Sequence, residues 1–341
     1  MVKVGIIGLG YWGPNLVRNF SKTKNCDMVL ACDLDQDRLR RIKEIYPSIE
    51  ITDDPQKITD QVDAVVIATP LKTHFSLAKE FLNKGKHVLI EKPICASSQE
   101  TIELSNLAEK VNKKLMVDHT FLYSDNINKI KSLLAEDSLG KIYNIDMVRV
   151  NLGLFNKDYN VIWDLAPHDL SILLYLLNKE PVSVVAVGES FILKNIVDNA
   201  HLYLKFEDST SASLYLSWLS PRKKRTITVV GSKKMLEYDD TALDSKISLF
   251  DKGVALEPQN LPEMPHYETF DQFRYVYRQG VEDKINVAER EPLAVMAEHF
   301  IESITKDTPP KTNALDALKV VKVIEAAQES LTTSKEVKVH D

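Results

Sequence analysis

The hexapeptide "GLGYWG", residues 8–13, follows the apolar run "KVGII" directly and runs straight into Pro14, whose fixed φ suits the first turn of a helix. Glycines at that spacing let a strand turn sharply into a helix while the backbone stays clear of side chains. Strand, tight turn and helix in that order commit this end of the chain to βα units. The alternation continues: "MVLACD", "AVVIAT", "HVLIE" and "LMVDH" read as strands, separated by helical patterns over 37–46, 74–84 and 98–112. Runs such as residues 62–68 are apolar on both faces, as strands in a helix-covered parallel sheet are. Residues 1–120 are therefore expected to form an α/β domain, a doubly wound parallel sheet of the Rossmann type.

From about residue 141 the period changes. "TSASLYLSWLS" sets Ala212, Leu214, Leu216 and Trp218 against Ser211, Ser213, Tyr215 and Ser217, the two-faced pattern of a half-exposed strand. "HLYLKF", "VSVVAVGES", "RTITVVG", "KMLEY" and "KISLF" extend it. Residues 121–341 are expected to form an α+β domain with a large, mostly antiparallel open sheet. It would carry a helix from Asp164 and two late helices over 292–305 and 313–332, with 257–267 as a loop. A chain of 341 residues suits two domains.

With 43 Lys and Arg against 49 Asp and Glu, no overall field draws this chain to nucleic acid or anionic lipid. No apolar run approaches the roughly 18 residues of a membrane span, and the N-terminal run lacks a small-residue cleavage site. The cysteines, Cys26, Cys32 and Cys95, are odd in number and without metal-type spacing, so no metal site is expected and a cytoplasmic location is.

Gly8, Gly10 and Gly13, with Tyr11 and Trp12 between them, sit where a dinucleotide pyrophosphate would rest over a helix N-terminus. Asp33 ends the second strand-like run, where a carboxylate accepts the adenosine ribose hydroxyls and repels a 2′-phosphate. NAD is therefore expected in preference to NADP, with Arg38 a turn further on as the feature that would suit NADP. Trp12 either lies over the cofactor or substrate or packs as a staple.

The segment "TPLKTHFSLAKEFLNKGKHVLIEKP", residues 69–93, together with "GYWGPNLVRNF", "WDLAPHDLSILLYLL" and the late "EPLAVMAEHFIESI" and "NALDALKVVKVIEAAQESL", resembles the glucose-fructose oxidoreductase, inositol dehydrogenase and MocA family. The likeness spans nearly the whole chain and is similar to the sugar-nucleotide branch. It implies that Lys92 of "EKP" reaches the substrate hydroxyl, that Glu91 and Pro93 flank it, and that Thr69, Pro70 and His74 form the nicotinamide side. A lysine at the carboxyl end of a parallel strand also faces the ligand crevice on general grounds; otherwise it is a surface lysine at a strand end.

The likeness further implies that Asp164 and His168 are the second domain's acid and histidine, and their spacing puts both on one helix face. His168 would take a hydroxyl proton, with Asp164 orienting it; alternatively Asp164 is a helix cap, against which stands Pro167, expected at the third helical position. Across a cleft the pair would face Lys92. Trp163 precedes them as a substrate contact. His119 and Tyr123 match a position near the domain junction, or else are a satisfied histidine and a core aromatic. Arg149 is read as a phosphate or carboxylate clamp, or an exposed strand charge, and "RKKR", 222–225, as a diphosphate grip or a solvated hairpin.

The expected activity is hydride transfer between nicotinamide and a ring carbon of a nucleotide-linked sugar, favoured as C3 of a UDP-N-acetylhexosamine or its uronate. The alternatives are a ketoreductase of a deoxysugar nucleotide, an inositol- or glucose-type polyol dehydrogenase, and a non-catalytic dinucleotide-binding sensor. A two-faced open sheet leaves an apolar face to cover, so a homodimer or homotetramer is expected.

Overall fold

Two sheets organise the chain in a computed structural model that describes residues 1–153, 155–254 and 277–339. The first sheet holds β1 (Val2–Ile7), β2 (Cys26–Cys32), β3 (Glu50–Thr52), β4 (Ala64–Ile67), β5 (His87–Glu91) and β6 (Leu115–Asp118) in the order β3-β2-β1-β4-β5-β6. All its pairings are parallel, and β1, β4 and β5 are almost wholly buried, as the apolar runs require. Helices α1 (Gly13–Phe20), α2 (Gln36–Ile45), α3 (His74–Asn83) and α4 (Ser98–Lys110) connect these strands. Strand order reverses between β1 and β4, so the loops after β1 and β4 diverge from a common point, where such sheets bind ligands.

After α5 (Asp125–Ala135), strand β7 (Ile142–Val150) begins the second sheet, followed by α6 (Val161–Leu177). The strands β8 (Ser183–Glu189), β9 (Asn199–Lys205), β10 (Ser211–Ser217), β11 (Lys224–Gly231), β12 (Met235–Asp239), β13 (Ile247–Val254), β14 (Tyr277–Ile285) and, at the edge, β15 (Val337–Lys338) complete it. Every pairing is antiparallel except β7 with β10. The alternation in β9 and β10 buries Leu202, Leu204, Ala212, Leu214 and Leu216 on one face.

Helices α7 (Pro292–Thr305) and α8 (Ala314–Thr333) close the fold. The chain divides into two compact units, one of Met1–Asp125, Leu170–Leu174 and Glu289–Glu325, the other of Asn126–Asp169, Tyr175–Ala288 and Ala326–Asp341. The expectation that α7 rides on the second sheet is corrected. Its Leu293, Met296, Ala297, Phe300 and Ile301 join β1 and α1 in one core, with Phe300 edge-on to Phe20 at 6.3 Å. An amphipathic period shows that a helix has a buried face and says nothing of which sheet it meets.

The start of α6 is also corrected. It begins at Val161, ahead of Asp164, because the Asn160 side chain accepts from the backbone N–H of Ile162 at 3.1 Å and Trp163 at 3.3 Å and so caps the helix. Asp164 is thus free of the capping role, and Pro167 lies inside the helix. The segment 257–267, expected as a loop, lies outside the described residues. Among the described residues no helix is long and apolar enough to cross a membrane, and no group of three or more His, Cys, Asp or Glu could hold a metal ion.

Candidate active site

In the first unit the expected residues gather at the carboxyl ends of the parallel strands. Gly8 has φ +96, and a Cβ there would lie 2.5 Å from the Ala68 carbonyl oxygen; a Cβ on Gly13 would lie 2.2 Å from that of Gly8. Those two glycines serve the turn itself. A Cβ on Gly10 would meet nothing nearer than the Arg38 guanidinium at 3.8 Å, so its bareness serves no packing and leaves room above the loop. That room, at the N-terminus of α1, fits a dinucleotide pyrophosphate. Trp12, at the N-cap of α1, is 43% exposed and stands edge-on to the exposed Tyr11 at 5.4 Å, which argues against a packed staple.

Asp33 follows β2. Its Oδ2 accepts from the Leu9 N–H at 2.6 Å and its Oδ1 from the Asp35 N–H at 2.9 Å, which fixes a carboxylate beside the glycine turn. The Arg38 guanidinium stands 3.5 Å from the same Oδ2 and 3.5 Å from Asp35.

His74, at the start of α3, is buried, with Nδ1 2.9 Å from the Pro93 carbonyl and Nε2 2.8 Å from the Thr69 carbonyl. It ties the segment after β4, Thr69 and Pro70, to the segment after β5, Lys92 and Pro93. Thr73 donates its hydroxyl to Thr69 Oγ1 at 2.7 Å. Burial first, with a smaller contribution from Lys92, lowers the His74 pKa, while the carbonyls it faces oppose the shift.

Lys92 stands among charges. Glu91 and Asp118 are register partners across β5 and β6. Burial first, and then the facing Asp118, push the Glu91 carboxyl well above the ordinary carboxylate range; burial also raises Asp118, while the Lys92 ammonium opposes both shifts. His119, next along, is 2% exposed and has no hydrogen-bond partner at either ring nitrogen among the described residues; burial and then Lys92 press its pKa down to about 4. Tyr123 is in the core, its hydroxyl 3.0 Å from Thr312 Oγ1, so it is the core aromatic rather than a substrate contact.

In the second unit, Asp164 and His168 lie four apart on the first half of α6, both half-buried. Asp164 Oδ2 accepts from the Trp218 indole N–H at 2.9 Å, just beyond β10. Trp163 is half-buried on the same helix turn. Arg149 is only 4% exposed and gives Nε and Nη2 to Asp169 Oδ1 at 2.8 and 2.6 Å, so its guanidinium binds β7 to α6. That corrects both readings of Arg149, as clamp and as exposed charge. The cluster over 222–225 starts β11, where Arg225 and Arg149 are register partners and Lys223 has its pKa lowered by Arg225 first.

Sequence reasoning passed over Asp118, Asp169 and Trp218. Asp118 had a signal, an acid ending an apolar strand run beside the Glu91 strand. Trp218 had only its place on a buried strand face, where an indole N–H needs an acceptor.

Residues 2–119 match the model of the oxidoreductase family with NAD-binding Rossmann fold, and residues 127–237 match the GFO/IDH/MocA C-terminal domain. The chain is 25% identical over 314 residues to the UDP-N-acetylglucosamine 3-dehydrogenase of Acidithiobacillus ferrooxidans, covering 90% of each. To the inositol 2-dehydrogenase of Rhizobium meliloti it is 23% identical over 344 residues, covering 99% of each. The crystal structure of GenD2 from gentamicin A biosynthesis in complex with NAD has the same fold, with a TM-score of 0.82 at 17% identity over 100% of this chain and 97% of that one.

Proposed function

Since the chain belongs to the GFO/IDH/MocA oxidoreductase family, we propose that it is an NAD-dependent dehydrogenase of a nucleotide-linked sugar, acting at a ring carbon, favoured as C3 of a UDP-N-acetylhexosamine or its uronate. The observation that carries this reading is Lys92 just past the carboxyl end of β5, among titratable groups, in the sheet whose β1 ends in a glycine turn with room for a pyrophosphate. Bound NAD supplies the hydride acceptor. Lys92 polarises the substrate hydroxyl, His168 takes its proton, and Asp164, held by Trp218, orients the imidazole and stabilises the imidazolium that forms. Asp33 keeps a negative charge where a 2′-phosphate would lie, which favours NAD over NADP.

The nucleotide-sugar choice rests on the Acidithiobacillus relative. The Rhizobium relative favours a second reading, a polyol dehydrogenase. NADH formation measured against a panel of UDP-sugars and free polyols separates them. Turnover with a UDP-N-acetylhexosamine or its uronate is expected; turnover with polyols alone moves the assignment to the second reading, and NAD binding without any turnover moves it to a sensor.

A second copy of the chain is the proposed partner. The solvent face of the second sheet carries Val187, Tyr203 and the stacked His201–Tyr215 pair, 4.3 Å apart. Light scattering should give a dimer or tetramer; a monomer at working concentration overturns this.

A further inference from the structure

The loop over residues 190–198 joins two neighbouring antiparallel strands, β8 and β9, which are last paired at Glu189 and Asn199. Asp198 closes it. Its Oδ2 accepts from the backbone N–H of Phe191 at 2.9 Å and of Ile192 at 2.8 Å, so one oxygen ties the far end of the loop to its start. The side chain is fully buried, and Oδ1 has no hydrogen-bond partner among the described residues. A buried acceptor left unmatched costs stability, which the two bonds of the other oxygen have to offset.

Two carbonyls of this tied loop lead to the Asp164 side chain. That of Val197 accepts at 2.9 Å from the N–H of Val161, the first residue of α6 and one of the groups that a helix start leaves without an internal partner. That of Asp198 accepts at 2.9 Å from the backbone N–H of Trp218. Trp218 is 1% exposed, its ring edge-on to Phe155 with centres 5.5 Å apart, and a Cβ on Gly153 would lie 2.9 Å from its Cδ1. The indole therefore has little room to move apart from its backbone. Its N–H reaches Asp164 Oδ2 at 2.9 Å. One loop thus holds both ends of that hydrogen bond, the helix turn that bears Asp164 and the backbone that bears Trp218, and all of these residues lie in the second unit. We propose that Asp198 is a positioning residue for the reaction, fixing the Trp218 indole on Asp164 through the 190–198 loop. It acts through Asp164, and this consequence rests on the role proposed for Asp164 above.

Proton–nitrogen NMR of the full chain, with 15N at the tryptophan indoles, reads the placement without turnover. It resolves Trp12, Trp163 and Trp218, and the Trp218 signal is the one lost in Trp218→Phe. In Asp198→Ala that signal should shift and exchange faster with deuterated solvent. Asp198→Asn, which still offers one oxygen to the two N–H groups, should restore it. Asp198→Ser, in which water can reach those groups, replaces the alanine variant if that one does not fold. A Trp218 signal unmoved in a folded Ala or Ser variant overturns the tie. A double-mutant cycle reads the consequence for the reaction. Asp198→Ala and Trp218→Phe should each lower kcat/KM about tenfold, and the two together by the same factor, because they act in series. A combined loss of about a hundredfold, or no loss in the Asp198 variant, overturns the role toward Asp164. Absent turnover in wild type would sink the dehydrogenase reading, while the indole signal still decides whether Asp198 places Trp218.

Discussion

The two sets of polar residues are held in place by different means. Around Lys92 the placement comes from the backbone: Glu91 and Asp118 are register partners, His119 follows, and the His74 ring stands 2.9 and 2.8 Å from the backbone carbonyls of Pro93 and Thr69. Around Asp164 and His168 it comes from side chains, with the Trp218 indole on Asp164, Asn160 on the helix start and the Arg149–Asp169 pair at the level of His168. A sheet edge fixes a constellation once strand order is set. A helix resting on a sheet has a free sliding coordinate and needs pins.

Substitution should expose that contrast. The largest effects belong to the residues at the chemistry in each region: Lys92→Ala and His168→Ala should each lower kcat by about 10²- to 10⁴-fold, with NAD affinity, measured calorimetrically, changed far less. A near-normal kcat in either removes that residue from its proposed role. Next come the pins. Arg149→Met leaves Asp169, 3% exposed and with Oδ2 lacking a hydrogen-bond partner among the described residues, without its ion-pair partner. Urea unfolding should show a loss of about 3 to 5 kcal/mol, and Arg149→Met with Asp169→Leu should recover part of it.

The backbone-placed region should instead be sensitive to pH. The folded chain holds His119 at about 4 against 6.5 ordinarily, so between those values the unfolded chain takes up a proton that the folded chain refuses. Stability contributed by neutral His119 is present above pH 6.5 and lost as pH falls toward 4, about 3 kcal/mol in all at one proton's worth per unit. His119→Leu should flatten the pH dependence of unfolding in that window; an unchanged slope would mean the ring is not so deeply desolvated. Smallest is Trp218→Phe, which removes one hydrogen bond to Asp164 and should lower kcat/KM about tenfold without an equal loss of stability. If it does nothing, Asp164 is oriented otherwise.

The same contrast explains what was legible in the sequence. The glycine turn, Asp33 and Lys92 are local features of βα units, and a strand followed by a Gly-rich turn and a helix has few ways to fold. Asp118 was within reach of that logic, one strand over. The pairing of Trp218 with Asp164 spans 54 residues, and that of Tyr123 with Thr312 spans 189. No period or local spacing encodes such partners. Arg149 illustrates the limit: its alternation on β7 was readable, but whether it faced ligand or Asp169 depended on where α6 lies.

The placement of α7 has a consequence for how the protein is made. The six parallel strands are complete at Asp118, yet the helix that shares their core with α1 comes only at Pro292–Thr305. Until then Val4, Leu16 and Phe20 lack their partners Met296 and Phe300. The first sheet is thus sealed only after β7 to β14 have been made, and the nascent chain carries an open apolar seam through their translation.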